Sequence, residues 1–251
     1  MGDSVHSDAV RQPLDIRRSI DARFYPEFGD NWDDTAFRKQ ILRYLKPEHS
    51  VLDLGAGAGI VPQMNFRGLA RQVAGLDPDP RVADNPYLDS AMVGYAERLP
   101  YDSGSFDLVF ADNVLEHLPD PLTMLNEVKR VLRPGGHFLA KTPNRRHYVP
   151  TLARSTPHWF HRFVNRLRGR DEEDTFPTLY RANSAAHLGS LATHAGLPLV
   201  ELRAIEGRPE YLRCLWPLYL MGIIYERVVN RWEALAGWRV VLIAVFQKEG
   251  L

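Results

Sequence analysis

The stretch Val51-Leu52-Asp53-Leu54-Gly55-Ala56-Gly57-Ala58-Gly59-Ile60 constrains the fold of this chain more than any other. A short apolar run ends in an acidic residue, and glycine then takes every second position. Such a run reads as a buried parallel strand that turns at once into a helix. The loop between them is bare enough for a ligand to lie against its backbone, because glycine lacks Cβ and tolerates positive φ. A dinucleotide fingerprint needs Gly-x-Gly-x-x-Gly, and Ile60 stands where its third glycine belongs. The plain alternative is a tight strand–helix turn that binds nothing.

The surrounding chain has room for such a core. Its 251 residues, 45% hydrophobic, suit one large domain or a domain with an insertion. Formal net charge is zero, so no nucleic acid is expected as partner. Cys214 is the single cysteine, which excludes a disulfide within the chain and leaves a cysteine-based zinc site unsupported. Asp3, His6 and Asp8 give the N-terminus none of the character of a signal peptide, and a cytoplasmic location is expected. The apolar stretch Leu212 to Tyr225 is interrupted by Arg213 and Pro217 and is too short to cross a bilayer. Core packing is its expected role, and a surface resting against a membrane is the alternative.

Taken in order, residues 1 to about 20 read as a loose arm. Phe24, Tyr25, Phe28 and Trp32 then read either as packing over the core or as a flap over a ligand, so residues 1–32 are set apart as an arm. Asp33-Asp34-Thr35 offers caps for a helix with Phe37, Ile41, Tyr44 and Leu45 on one face. Strands are expected at Ser50 to Leu54, Gln72 to Leu76, Ala91 to Val93, Phe106 to Ala111, from Phe138, at Leu199 to Ile205 and at Arg239 to Phe246. Helices are expected at Ile60 to Ala70, at Ser184 to Ala195, from Leu212 to Ala236, and from Asp120 with Pro121 in the first turn. Alternation of this kind predicts an α/β fold, a Rossmann-like, doubly wound and mostly parallel seven-stranded sheet. Ligands of such sheets bind at the carboxyl ends of the strands, where the glycine loop lies.

The alternation stops between about 143 and 182, and a helical insertion after the fifth strand is expected there. His147, Tyr148, His158, Trp159, His161 and Tyr180 share this segment with many arginines, Arg181 among them. Thr156-Pro157 opens an amphipathic helical pattern running to Arg168. Long insertions of this kind serve as lids or as plain surface excursions.

Several separated motifs agree on one family. Asp53 to Gly59 resembles the first motif of class I S-adenosylmethionine-dependent methyltransferases, with Asp77 at the acidic position ending the second strand. Gly94-Tyr95-Ala96-Glu97-Arg98-Leu99-Pro100 resembles the adenine-side loop, usually written G-D-A-E-x-L-P, with Tyr95 in place of the aspartate. Gly104-Ser105-Phe106-Asp107-Leu108-Val109, Asn113-Val114-Leu115-Glu116-His117-Leu118 and Leu132-Arg133-Pro134-Gly135-Gly136 complete the match over roughly residues 36 to 142. Within the family the chain looks most like the small-molecule branch that contains quinone-biosynthesis O-methyltransferases. Some members of that branch hold a divalent ion through an E-x-x-E-H pattern. Asn113 replaces its first glutamate here, and no metal is assigned.

The resemblance implies a methyltransferase domain over residues 33–251 with S-adenosylmethionine as cofactor. Asp53, Gly55, Ala56, Gly57, Gly59, Asp77, Pro78, Ala96, Glu97 and Asn113 are the positions it assigns to that cofactor. His117 is the candidate base for a hydroxyl acceptor. Tyr25, Trp32, His147, His161 and Arg181 are the candidate acceptor contacts. The expected acceptor is a small molecule, lipid- or sugar-linked, partly apolar and, given the arginines, anionic. A non-catalytic cofactor-binding module and, less in keeping with Ile60, a nicotinamide-dependent oxidoreductase stand as alternatives.

Overall fold

The structure is a computed structural model and describes residues 14–29, 31–155, 178–213 and 215–250. Seven strands form one sheet: β1 (Ser50–Leu54), β2 (Gln72–Asp77), β3 (Ser90–Val93), β4 (Phe106–Asp112), β5 (Leu132–Pro143), β6 (Leu199–Ile205) and β7 (Val241–Gln247). Their spatial order is β3-β2-β1-β4-β5-β7-β6. β7 runs antiparallel to both β5 and β6, and the other pairs are parallel. The order reverses direction at β1 and β4, so their carboxyl ends open a crevice at the switch point. The antiparallel β7 also separates this sheet from the all-parallel 3-2-1-4-5-6 order of dinucleotide-binding proteins.

Period-two alternation along the strands divides the core between two faces. Leu52, Leu54, Val109, Ala111, Leu242 and Ala244 point to one side. There they meet helix α3 (Pro121–Val131) through Met124, Leu125 and Val128, and a later helix through Leu188 and Ala192. Val51, Leu108, Phe110, Ile243 and Val245 point to the other side, against Phe37 and Ile41 of helix α2 (Trp32–Leu42). The start of α3 follows the expectation, since the Asp120 carboxylate accepts hydrogen bonds from the Leu122 and Thr123 amides at 3.2 Å.

Three expectations fail. Residues 60 to 70 form no α-helix, only a 3₁₀ turn at Pro62–Met64. Pro62, Asn65 and Gly68, at φ +80°, break the helical pattern. Arg38 of α2 takes over, donating to the carbonyls of Gln63 (2.6 Å) and Asn65 (2.7 Å) and lying over the Phe66 ring. Second, the arm is not loose throughout, because helix α1 spans Leu14–Phe24. Asp21 anchors it, accepting from Arg213 Nη2 at 2.5 Å and from the Tyr219 hydroxyl. Third, the helix expected from Leu212 to Ala236 runs only from Trp216 to Arg231, and it is not simply buried. Tyr219, Ile223 and Val229 face inward, whereas Met221 and Ile224 are 64% and 65% exposed. Among the described residues no helix is long and apolar enough to cross a membrane.

The insertion after β5 begins with helix α4 (Tyr148–Ser155). Its far end returns at residue 178, with the Leu179 and Tyr180 amides donating to the Glu116 carbonyl at 2.6 and 3.2 Å. Helix α5 (Ala185–Ala195) follows, and the Trp216–Arg231 helix is α6. The stretch between 156 and 177, with His158, Trp159 and His161, lies outside the described residues, as does Cys214.

Candidate active site

Glycine in the loop after β1 is required by shape. Gly55, Gly57 and Gly59 all have positive φ, at 80°, 50° and 73°. A Cβ on Gly55 would fall 2.3 Å from Val114 Cγ2, and one on Gly59 would fall 2.5 Å from Asn85 Oδ1. Gly57 differs, with nothing within 4 Å of its Cβ position, so this part of the loop opens outward. The loop is held from behind: Asn85 Nδ2 donates to the carbonyls of Ala56 (2.9 Å) and Gly57 (3.2 Å), and the Gly55 amide donates to Leu76 O (2.8 Å).

Asp77 closes the same loop. One carboxylate oxygen accepts from the Gly57 amide at 2.9 Å and the other from the Asp79 amide at 2.8 Å. A carboxylate offers about four lone-pair directions, so acceptor capacity remains on both oxygens. Asp53 is buried behind the loop, where burial first, then Asp112 and Asp77, hold its carboxyl well above the ordinary range. Ala96 is buried, Glu97 half-buried and Pro78 exposed, while Tyr95 is 70% exposed beside them. Each of the ten cofactor positions therefore sits in or just beyond the carboxyl end of β1, β2, β3 or β4.

Asn113, directly after β4, joins this region to a cleft of about 420 Å³. Its backbone is left-handed, at φ +54°, a conformation non-glycine residues hold mainly where surroundings impose it. Trp32, Glu116, His117, His147, Tyr148, Tyr180, Glu206, Arg208 and Tyr211 line the cleft with it. Sequence reasoning had singled out Trp32, Asn113, His117 and His147, which the fold brings together from 115 positions of chain separation. It missed Glu206 and Tyr211, which arrive from the segment after β6 and carry no local motif.

Two expected acceptor contacts lie elsewhere. Tyr25 is buried, donating to Glu226 Oε2 at 3.1 Å and stacking with Tyr219 at 6.4 Å. Packing of α1 on α6 thus occupies its hydroxyl and ring. Arg181 donates to the Pro119 carbonyl at 2.5 Å and does not line the cleft. His161 lies outside the described residues.

The described lining of the cleft is mixed in charge. It holds four carboxylates, Asp33, Glu116, Glu206 and Glu210, and one arginine, Arg208. Arg208 is itself bound to Glu210 at 2.5 Å. Burial pushes Glu116 up to about 7, against a hydrogen bond from Thr142 Oγ1 at 3.0 Å. Under the cleft, fully buried Lys141 contacts Asp112 at 2.9 Å, Asp33 at 3.0 Å and also Asp34. Burial opposes its charge, but the three carboxylates outweigh that and raise its pKa. Asp112 is in turn pushed by burial up to about 7, with Lys141 opposing. This cluster fixes the start of α2, and with it Trp32, over the ends of β4 and β5.

A family model described as a methyltransferase domain matches residues 52–140. Over 168 residues the chain is 30% identical to a ubiquinone biosynthesis O-methyltransferase of Cupriavidus pinatubonensis (strain JMP 134 / LMG 1197), covering 63% of this chain and 64% of the relative. Residues 52–140 thus match a methyltransferase domain, and the chain is similar there to S-adenosylmethionine-dependent methyltransferases. It spans about half to two thirds of the length of the curated relatives it matches. Among solved structures, a Haloferax volcanii methyltransferase in complex with the Trm112 activator is similar over 94% of this chain and 97% of its own, with TM-score 0.58 and 22% identity. The [4+2]-cyclase SpnF is similar over 86% and 81%, with TM-score 0.55 and 17% identity. These two likenesses speak for the fold alone, and the second shows that the methyltransferase fold also hosts other reactions.

Proposed function

We propose that this protein is a methyltransferase that transfers the methyl group of S-adenosylmethionine to a hydroxyl oxygen of a small molecule held in the cleft. One observation supports this above the rest: Asn113 belongs both to the strand-end crescent around Gly57 and to the cleft wall that carries Glu116 and His117. The open face of Gly57 and the spare acceptor capacity of Asp77 suit a nucleoside cofactor bearing ribose hydroxyls. Asp53 supports the loop from behind, and Ala56, Gly59, Pro78, Ala96 and Glu97 complete the rim. When bound, the cofactor supplies an activated methyl group on sulfur.

The protein's share of the work is then alignment, desolvation and proton handling. Rigid placement of an acceptor can supply on the order of 7 kcal/mol. His117 on the cleft wall is the proposed base, and Glu116 beside it, its pKa pushed by burial up to about 7, is a second proton acceptor when ionised. Trp32 and His147 are proposed as acceptor contacts. The exposed apolar side of α6, with Trp216 and Trp232 at its two ends and Arg227 and Arg231 on the same helix, supports peripheral contact with an anionic bilayer, from which a lipid-linked acceptor would be drawn.

The test is calorimetry with S-adenosylhomocysteine, and with NAD for contrast, followed by transfer of labelled methyl to sugar, phenol, quinol and lipid acceptors. Binding of S-adenosylhomocysteine with transfer to one oxygen acceptor is the expected result. Binding without transfer to any acceptor would favour the cofactor-binding module, and binding of NAD alone would sink the proposal.

A further inference from the structure

On the β5–β6 side of the cleft, two buried ionisable side chains face each other without completing a hydrogen bond. His147 Nε2 lies 3.4 Å from Glu206 Oε2, and the two side chains are 2% and 3% exposed. Neither atom has a partner at hydrogen-bond geometry. Both residues line the cleft. Buried polar atoms left in this condition destabilise a fold, so such a pair calls for an explanation.

The local backbone sets which atom donates. His147 Nδ1 accepts from the Val149 amide at 3.4 Å, which places the proton of the neutral ring on Nε2. The ring is fixed from its own loop. Its amide donates to Asn144 O at 3.0 Å, and Asn144 is tied to the carbonyls of Gly237 and Arg239 at 2.9 and 2.8 Å. Tyr148 packs on the imidazole with ring centroids 4.1 Å apart. A hydrogen-bond donor and a carboxylate acceptor are thus presented side by side, next to an aromatic ring.

We propose that His147, Glu206 and Tyr148 form a recognition subsite for an alcohol hydroxyl of a polyhydroxylated, sugar-like acceptor, an inference that rests on the methyl-transfer reading of the cleft. A hydroxyl is the group that fits both partners, donating to Glu206 Oε2 while accepting from His147 Nε2–H. An ammonium ion satisfies Glu206 but turns a donor toward the histidine donor. A phosphate or carboxylate accepts from His147 but faces Glu206 with like charge. The remaining lining agrees. Tyr148, Tyr180, Tyr211 and Trp32 offer apolar faces to the C–H surface of a sugar ring, and the one arginine of the described lining is held by Glu210.

The test uses the full chain saturated with S-adenosylhomocysteine, titrated with a panel of methyl glycosides and with their singly deoxygenated analogues. Phenyl phosphate and phenethylammonium serve as anionic and cationic probes. At least one glycoside binds, and removal of one particular hydroxyl weakens it about tenfold. Glu206→Gln, which keeps the shape of the side chain, and His147→Phe each weaken the parent glycoside to the level of that deoxy analogue. S-adenosylhomocysteine affinity stays unchanged in both. Should His147→Phe fail to fold, Glu206→Gln alone decides. The subsite is refuted if every glycoside fails to bind, if the phosphate or ammonium probe binds better, or if Glu206→Gln binds parent and deoxy glycosides as the wild type does. Failure of S-adenosylhomocysteine itself to bind would instead refute the methyltransferase reading beneath it.

Discussion

The two halves of the site are built in opposite ways. The proposed cofactor half is made of backbone turns at the ends of adjacent strands β1 to β4, each specified within a few residues of sequence. The proposed acceptor half is assembled from side chains at positions 32, 113–117, 147, 180 and 206–211, which meet only because three strand ends and the start of α2 converge. On that proposal a chemical task common to a family, holding one fixed nucleoside, falls to local geometry that glycine and one carboxylate enforce. A task particular to one protein is met by long-range packing. Changes on the cofactor side should therefore act all or none, and changes on the acceptor side should be graded and substrate-dependent.

The sharpest way to break that comparison is at the support both halves share. Lys141→Met removes the cation from a buried group of Asp33, Asp34 and Asp112 and should cost about 3–5 kcal/mol of stability near neutral pH. Denaturant titration measures it, and the cost should be smaller below about pH 7, where Asp112 carries a proton with or without Lys141, than at higher pH. A loss independent of pH would mean that packing, not charge, dominates at Lys141.

Next in size is Gly57→Arg. Space around this Cβ position leaves the fold intact apart from about 1 kcal/mol for the left-handed backbone. The long side chain fills the open face, and S-adenosylhomocysteine affinity should fall by more than about a hundredfold, or roughly 3 kcal/mol, by calorimetry. Unchanged affinity would remove the glycine loop from the cofactor site.

Glu116→Gln separates electrostatics from shape on the acceptor side. The folded-state pKa is raised to about 7 from 4.5, so the folded protein holds a proton that the unfolded chain has released between these values. Wild-type stability therefore declines as pH rises from about 4.5 to 7, and the penalty is fully present above 7. The glutamine variant has no such penalty. It should match the wild type near pH 4.5 and exceed it by up to about 3 kcal/mol at pH 8. If the difference between the two were flat with pH, Glu116 would be solvated rather than buried as the structure has it.

These contrasts also say what was legible in sequence. The strand positions and the mostly parallel sheet followed from alternation of apolar runs, and Asp77 and Gly57 stood out because their geometry is local. The helix expected at Ile60 to Ala70 was misread because the apolar pattern was weighed above Pro62, Asn65 and Gly68, and because Arg38, twenty-odd residues upstream, satisfies the loop carbonyls. Glu206 had no signal at all. It is one more glutamate after a strand until the β6–β7 pairing places it against His147. The anionic acceptor was inferred from arginines counted along the chain, of which Arg162, Arg166, Arg168 and Arg170 lie outside the described residues. Of those described, Arg145 contacts His187, Arg146 lies over Trp238 and Arg181 holds a carbonyl, none of them in the cleft.

The smallest predicted effect tests the boundary between flap and scaffold. Tyr25 was expected to cover the acceptor, yet its hydroxyl donates to Glu226, which also accepts from Asn230 Nδ2 at 2.7 Å. Tyr25→Phe removes one hydrogen bond to a charged group that keeps another donor, so stability should fall by about 1–2 kcal/mol in thermal or chemical unfolding. Acceptor KM and S-adenosylhomocysteine affinity should both stay as in the wild type, because Tyr25 lines neither half of the site. A raised KM with stability unchanged would move α1 from scaffold to flap, and the acceptor half would then extend further from the strand ends than the cleft does.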